Sequence, residues 1–259
     1  MSEAAWSQSG YDVRFDWGST GAERVTADGA LLVVVDVLSF TTSVSIATER
    51  GTAVVPAPWH DRRAEELAEA HHAPLAVGRR AVTAARPWSL SPAALRDATT
   101  APDKLVLPSP NGATLVAAAD SRGIAVVAGC LRNASAVGRW LARHAHGPVA
   151  VVAAGERWPD GTLRPALEDL LGAGAVLEAL AAGRTGRRHS PEATAAASAW
   201  EGATHVRELL RSCVSGRELA ESGFEDDVVI AGELDASAVV PVLLDGAFRD
   251  ASLGWQHAT

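Results

Sequence analysis

The chain has 259 residues, 47% of them apolar and 21% charged, which is enough apolar material to bury a large core and rules out a disordered chain. A net charge of −8 and a pI near 5.5 leave no basic field for a nucleic-acid backbone, so any anionic substrate must be met by local groups. Cys130 and Cys213 form no CxxC pair, and Lys104 is the only lysine, which excludes a Walker-type GK[ST] loop.

In chain order, the N-terminus carries Glu3, Trp6 and Asp12 where a secretory signal would need basic and then apolar residues. The expectation is a cytoplasmic protein with no membrane association. Short β-branched runs then alternate with alanine-rich helical stretches, the pattern of a largely parallel sheet covered by helices. Strands are expected near 31–36, 52–56, 105–107, 124–128, 148–153 and 227–231. Helices are expected near 41–50, 60–71, 112–121, 133–145, 166–182 and 192–212. In the last of these Val206, Leu209 and Leu210 share one face, while Arg207, Glu208 and Arg211 face water. The irregular stretch Gly78–Pro102 reads as a lid or an insertion over a sheet edge, and Gly183–Pro191, with its basic residues, as a solvated linker. The whole chain is read as one α/β unit, with room for two closely packed subdomains.

Ligands of open parallel sheets bind beyond the carboxyl ends of the strands, and the loops there are chemically rich. Asp36 ends the first expected strand and is followed by Ser39, Thr41 and Thr42 at a helix mouth. These residues offer a carboxylate, hydroxyls and free backbone N–H groups together, although an ordinary helix cap would use the same residues. Asn111-Gly112 opens a second helix, either as a plain tight turn or as a phosphate cradle in which glycine permits close backbone approach. Arg132 and Asn133 follow the next strand, as an anion clamp and a cap, or as an exposed arginine beside a cap. Glu156 follows the strand at 148–153, and Glu168 and Asp169 sit in the first turn of the next helix, where carboxylates also complement the helix dipole. Asp36, Glu156, Glu168 and Asp169 all fall at one expected sheet edge. Several carboxylates beside phosphate-cradling loops describe a Mg²⁺ site, because Mg²⁺ takes one or two carboxylates, keeps waters and uses substrate phosphate as a further ligand.

These segments together resemble the 2-phosphosulfolactate phosphatase (ComB-like) family. Asp36 to Ser43 is similar to its DVLRATTT-type segment and Ser109 to Thr114 to its TTNGT-type segment. Gly129 to Asn133, Ala154-Gly155, Leu167 to Leu170, Ala173-Gly174 and the stretch from Asp227 to Pro241 follow in the family's order. The resemblance implies an α/β/α-layered fold and Mg²⁺-dependent hydrolysis of a small anionic phosphate monoester, in the named case a step toward coenzyme M. It implies Asp36, Glu168 and Asp169 as catalytic and metal residues. Ser39, Thr41, Thr42, Asn111, Gly112, Arg132 and Asn133 would line the substrate. Ser39 stands where the family has an arginine, so Arg132 is the expected replacement, and a non-catalytic anion-binding protein on the same fold is the alternative. Alanine-rich helices and exposed tryptophans would suit a homodimer. No strand is followed by GxGxxG with an acidic residue at the spacing of a dinucleotide site.

Overall fold

The computed structural model describes residues 3–58, 61–183 and 186–252. The chain opens with α1 (Glu3–Trp6), β1 (Val13–Trp17), α2 (Gly18–Val25), β2 (Leu31–Val35), α3 (Phe40–Glu49), β3 (Ala53–Ala57) and α4 (Arg62–Ala70). After a 3₁₀ turn at Arg79–Ala81 come α5 (Pro92–Asp97), β4 (Lys104–Pro108), α6 (Gly112–Asp120), β5 (Val126–Gly129), α7 (Ala134–His144) and β6 (Val149–Ala153). A short hairpin, β7 (Glu156–Arg157) and β8 (Leu163–Arg164), leads into α8 (Leu167–Gly183). The chain continues through α9 (Pro191–Glu201), α10 (Val206–Ser212), α11 (Val214–Glu221) and α12 (Glu225–Ala231) to a hairpin of β9 (Pro241–Leu244) and β10 (Ala247–Asp250).

Eight strands form one sheet in the order β1-β6-β2-β5-β9-β10-β3-β4. The first four are mutually parallel, with Val35 of β2 opposite Ala153 of β6 and Gly129 of β5. β2 is an unbroken apolar run because both of its faces are covered. Leu32 and Val34 join the core under α2, α3 and α6, while Val33 and Val35 join the core under α7, α8 and α9. Three layers follow directly: helices, sheet, helices. Burying each of these aliphatic side chains stabilises the fold by about 1.5–3 kcal/mol, and the close approach of the helices depends on glycines. A Cβ on Gly172 of α8 would lie 2.7 Å from Val37, and one on Gly138 of α7 would lie 2.5 Å from Ala179.

Pairing reverses at each step from β5 through β9 and β10 to β3, so β3 and β4 form a second parallel pair set against the first. The hairpin meets β5 and β3 through one residue pair each, Val127 with Val242 and Phe248 with Val54. Such sparse pairing lets the sheet fold over there. Ser109, just past the end of β4, thereby reaches Asp36, just past the end of β2, and α3 is buried along its whole length up to Thr48.

Three expectations are corrected. Residues 227–231 are helical, not a strand; the four-residue apolar run 228–231 has ambiguous periodicity, and Glu225, Asp226 and Asp227 favour a helix N-terminus. The helix expected over 192–212 is two, broken at 202–205 where His205 adopts a left-handed conformation (φ 55°). The linker before α9, of which residues 184 and 185 lie outside the described residues, as does residue 60 of the helix expected over 60–71, is no free tether. His189 bridges Val13 at the sheet edge, and Arg188 exchanges hydrogen bonds with Asp12. No helix among the described residues is long and apolar enough to cross a membrane.

Candidate active site

Asp36 leaves β2 in the turn that starts α3, where its carboxylate is held from two sides. One oxygen accepts the Phe40 N–H at 3.1 Å, the other the Gly112 N–H at 2.8 Å and the Ser109 hydroxyl at 3.5 Å. The α6 N-terminus is thus docked on the β2 turn through the carboxylate itself. Gly112 is required for this approach, since a Cβ there would lie 2.7 Å from the Asp36 oxygen and 2.5 Å from the Phe40 ring. Thr41 and Thr42 serve the same turn: their hydroxyls donate to the carbonyls of Asp36 and Val37, and Thr41 also accepts the Asp36 N–H.

Glu156 begins the hairpin after β6, and its carboxylate accepts the Asn111 amide at 2.8 Å. Asp169, in the first turn of α8, accepts the Val37 N–H and the Gly155 N–H, each through one oxygen, at 2.7 and 2.8 Å. It ties the turn after β2 to the turn after β6. Glu168 is buried beside it and accepts the Cys213 thiol.

Asp36, Asp169 and Glu156 all hold their protons more tightly than ordinary carboxylic acids. Burial is the largest cause in each case, and repulsion from neighbouring carboxylates of the same group adds to it, while backbone or amide donors partly oppose it. Glu156 is pushed up to about 7. Burial, with Glu168 beside it, likewise raises the Cys213 thiol to about 12.

Asp36 and Glu156 open into a cavity of about 390 Å³, walled by Ser39, Ser109, Asn111 and, from the stretch before α5, Gly78 and Arg79. Asp169 and Glu168 lie beneath it. No three His, Cys, Asp or Glu side chains converge as a metal cage among the described residues. Mg²⁺ asks for only one or two carboxylates, and hard anionic oxygens short of counter-charge suit it. Asp36 and Glu156, which face the cavity, are the residues that could hold it.

The sequence-derived candidates therefore divide. Asp36, Ser39, Asn111 and Gly112 are brought together around the cavity, with Glu168 and Asp169 behind them. Arg132 is elsewhere: its buried guanidinium pairs with Glu49 and Glu233. Asn133 spends its side chain on the Cys130 N–H and the carbonyls of Ala128 and Val239. Sequence reasoning passed over Arg79, whose guanidinium donates to the Ser39 hydroxyl at 2.6 Å and to Asp227 at 2.8 Å. It lay in the irregular stretch, and its partner Asp227 lay in a misread strand; the Gly78-Arg79-Arg80 sequence was the only local signal.

The family profile described as 2-phosphosulpholactate phosphatase matches residues 20–246. A protein of Pseudothermotoga lettingae named probable 2-phosphosulfolactate phosphatase is 29% identical over 224 residues, 83% of this chain and 90% of its own length. A protein of Parasynechococcus marenigrum with the same name is 33% identical over 218 residues, 81% of this chain and 87% of its own length.

Proposed function

The chain belongs to the 2-phosphosulfolactate phosphatase family, and from that premise we propose that it hydrolyses a small anionic phosphate monoester, 2-phosphosulfolactate or a related phosphorylated hydroxy acid, with the help of Mg²⁺. The observation that carries this reading is the Asp36 carboxylate, fixed by the Gly112 N–H at the mouth of a cavity that Glu156 and Asn111 share.

Asp36 and Glu156 would hold Mg²⁺, which when bound offsets the charge of the phosphoryl oxygens. The chain's own residues do the rest. Each Asp36 oxygen accepts a backbone N–H and keeps a lone pair for the ion, and we assign the attack on phosphorus to water. The Asn111 amide fixes Glu156, and the Ser109 and Ser39 hydroxyls face the cavity where phosphoryl oxygens would lie. Asp169 positions the two strand-end turns from below, without touching substrate, and Glu168 beside it accepts the Cys213 thiol.

A screen for phosphate release with and without Mg²⁺, over a panel of small phosphorylated acids, tests the reading. Turnover of 2-phosphosulfolactate or a close relative that requires Mg²⁺ is the expected result. In single turnover ¹⁸O from solvent should enter the released phosphate, with no aspartyl adduct trapped by phosphate analogues. A panel without turnover, in which one ligand nevertheless raises the melting temperature, would favour the non-catalytic binder; Ser39 in place of the family arginine is the feature that supports that second reading.

A further inference from the structure

We propose that Arg79 binds the acid group of the substrate that is not transferred, its sulfonate or carboxylate. This rests on the phosphoester reading of the cavity. Among the described residues Arg79 is the one cationic side chain that lines it, in a wall that also contains Asp36, Glu156 and Glu218. A phosphoester acid brings several negative charges into a protein of net charge −8, so a local cation is needed in the cavity wall.

The guanidinium is built in rather than loosely placed. Its Nε donates to Asp227, which is 1% exposed and also accepts from the Ser91 hydroxyl and the Ala93 N–H. Its Nη2 donates to Ser39, and the Phe224 ring lies 5.5 Å from its Cζ. Nη1 makes no hydrogen bond among the described residues, and the side chain retains 18% of its exposure. With Nε and Nη2 held by Asp227 and Ser39, the unbonded Nη1 is left to donate to a carboxylate or sulfonate oxygen. Ser39 and Arg79 are hydrogen-bonded to each other, so the segment before α5 supplies a charge at the turn after β2. Arg132, tied to Glu49 and Glu233, has no such opening to the cavity.

The test uses binding as well as turnover. Titration of 3-sulfolactate, which lacks phosphate, and of inorganic phosphate into the full-length protein separates the two subsites. Arg79→Ala should weaken 3-sulfolactate at least about tenfold and leave inorganic phosphate within about threefold. Arg79→Lys keeps a charge for Asp227 if the alanine variant fails to fold, and should also weaken 3-sulfolactate, since it loses Nη1. For 2-phosphosulfolactate both variants should raise KM while kcat stays within about threefold, and a phosphoester with an uncharged leaving group should be unaffected. Unchanged 3-sulfolactate affinity in folded Arg79→Lys, no binding of 3-sulfolactate by the wild type, or parallel loss of inorganic phosphate would overturn the assignment. Arg79-dependent binding of 3-sulfolactate by a protein that hydrolyses none of the phosphoesters would uphold it and overturn the phosphatase reading instead.

Discussion

Asp36 is bound by backbone N–H groups from two helices and repelled by Glu168, so its charge and position are set by groups that cannot easily follow a substitution. Asp36→Asn removes the charge and turns an amide N–H₂ toward one of the two backbone donors, which costs about 1–3 kcal/mol. It should fold and lose at least about a hundredfold in kcat/KM; retention within about tenfold, roughly 1.4 kcal/mol of barrier, would reduce Asp36 to a helix cap. Gly112→Ala acts on the same carboxylate sterically. Its Cβ would press on Asp36 and Phe40, so kcat should fall and stability drop by about 1–3 kcal/mol in denaturant titration. Unaltered kinetics in a stable variant would show that Gly112 is only a turn residue. Asp36, Asn111 and Gly112 were legible in the sequence because each follows an apolar strand and opens a helix, which fixes its location without knowledge of distant contacts. Arg79 was not, since its role depends on Asp227 and Ser39, 148 and 40 residues away. Arg132 misled for the converse reason: its loop was read correctly as the one after a parallel strand, but Glu49 and Glu233 draw its side chain away.

At the scale of elements, the first turn of α8 secures the site through Asp169. Asp169→Ala would leave the buried N–H groups of Val37 and Gly155 without their acceptor, at about 1–3 kcal/mol each. Thermal and denaturant unfolding should register a loss of several kcal/mol, partly offset because a buried carboxyl with a raised pKa is itself removed. A change below about 1 kcal/mol would mean that the turns after β2 and β6 hold themselves. From Leu31 to Gly183 the main alternation of strands and helices was readable because apolar runs alternate there with alanine-rich helical stretches, whereas α2, α5 and the β7–β8 hairpin were not read. Beyond it, α9 packs on α8, α12 on α5, and α10 to α12 on one another, and this packing, rather than period, sets the limits of these short helices. β1 escaped notice because its polar Arg14 and Asp16 break the apolar run: Arg14 is buried only by virtue of its ion pair with Asp28 and its bond to the Val25 carbonyl.

Across the whole molecule, a cluster of buried carboxylates in an acidic chain makes stability depend on pH and, where Mg²⁺ binds as proposed, on the ion as well. Glu156 binds its proton more tightly when folded, about 7 against 4.5, so its contribution to stability falls as pH rises through that interval and is lowest above it. Asp28, lowered chiefly by its hydrogen bond to Arg14, contributes in the opposite sense, but fully so already above the ordinary carboxylate range. The melting temperature attributable to the cluster should therefore fall between pH 5 and pH 8, and Mg²⁺ should restore more of it at pH 8 than at pH 6, because the cation displaces the proton. Equal restoration at both values would mean that Glu156 does not share in holding the ion. The layered sheet was legible from strand composition, whereas the fold-over at the β9–β10 hairpin was not, since it rests on two single residue pairs. The cavity between Asp36 and Glu156 is where we propose that a phosphate monoester is hydrolysed. Phosphate release from 2-phosphosulfolactate, measured side by side for the wild type with Mg²⁺, the wild type with chelator and Asp36→Asn with Mg²⁺, tests it most directly. Turnover in the first reaction alone is the predicted result, and equal release by wild type and Asp36→Asn would contradict it.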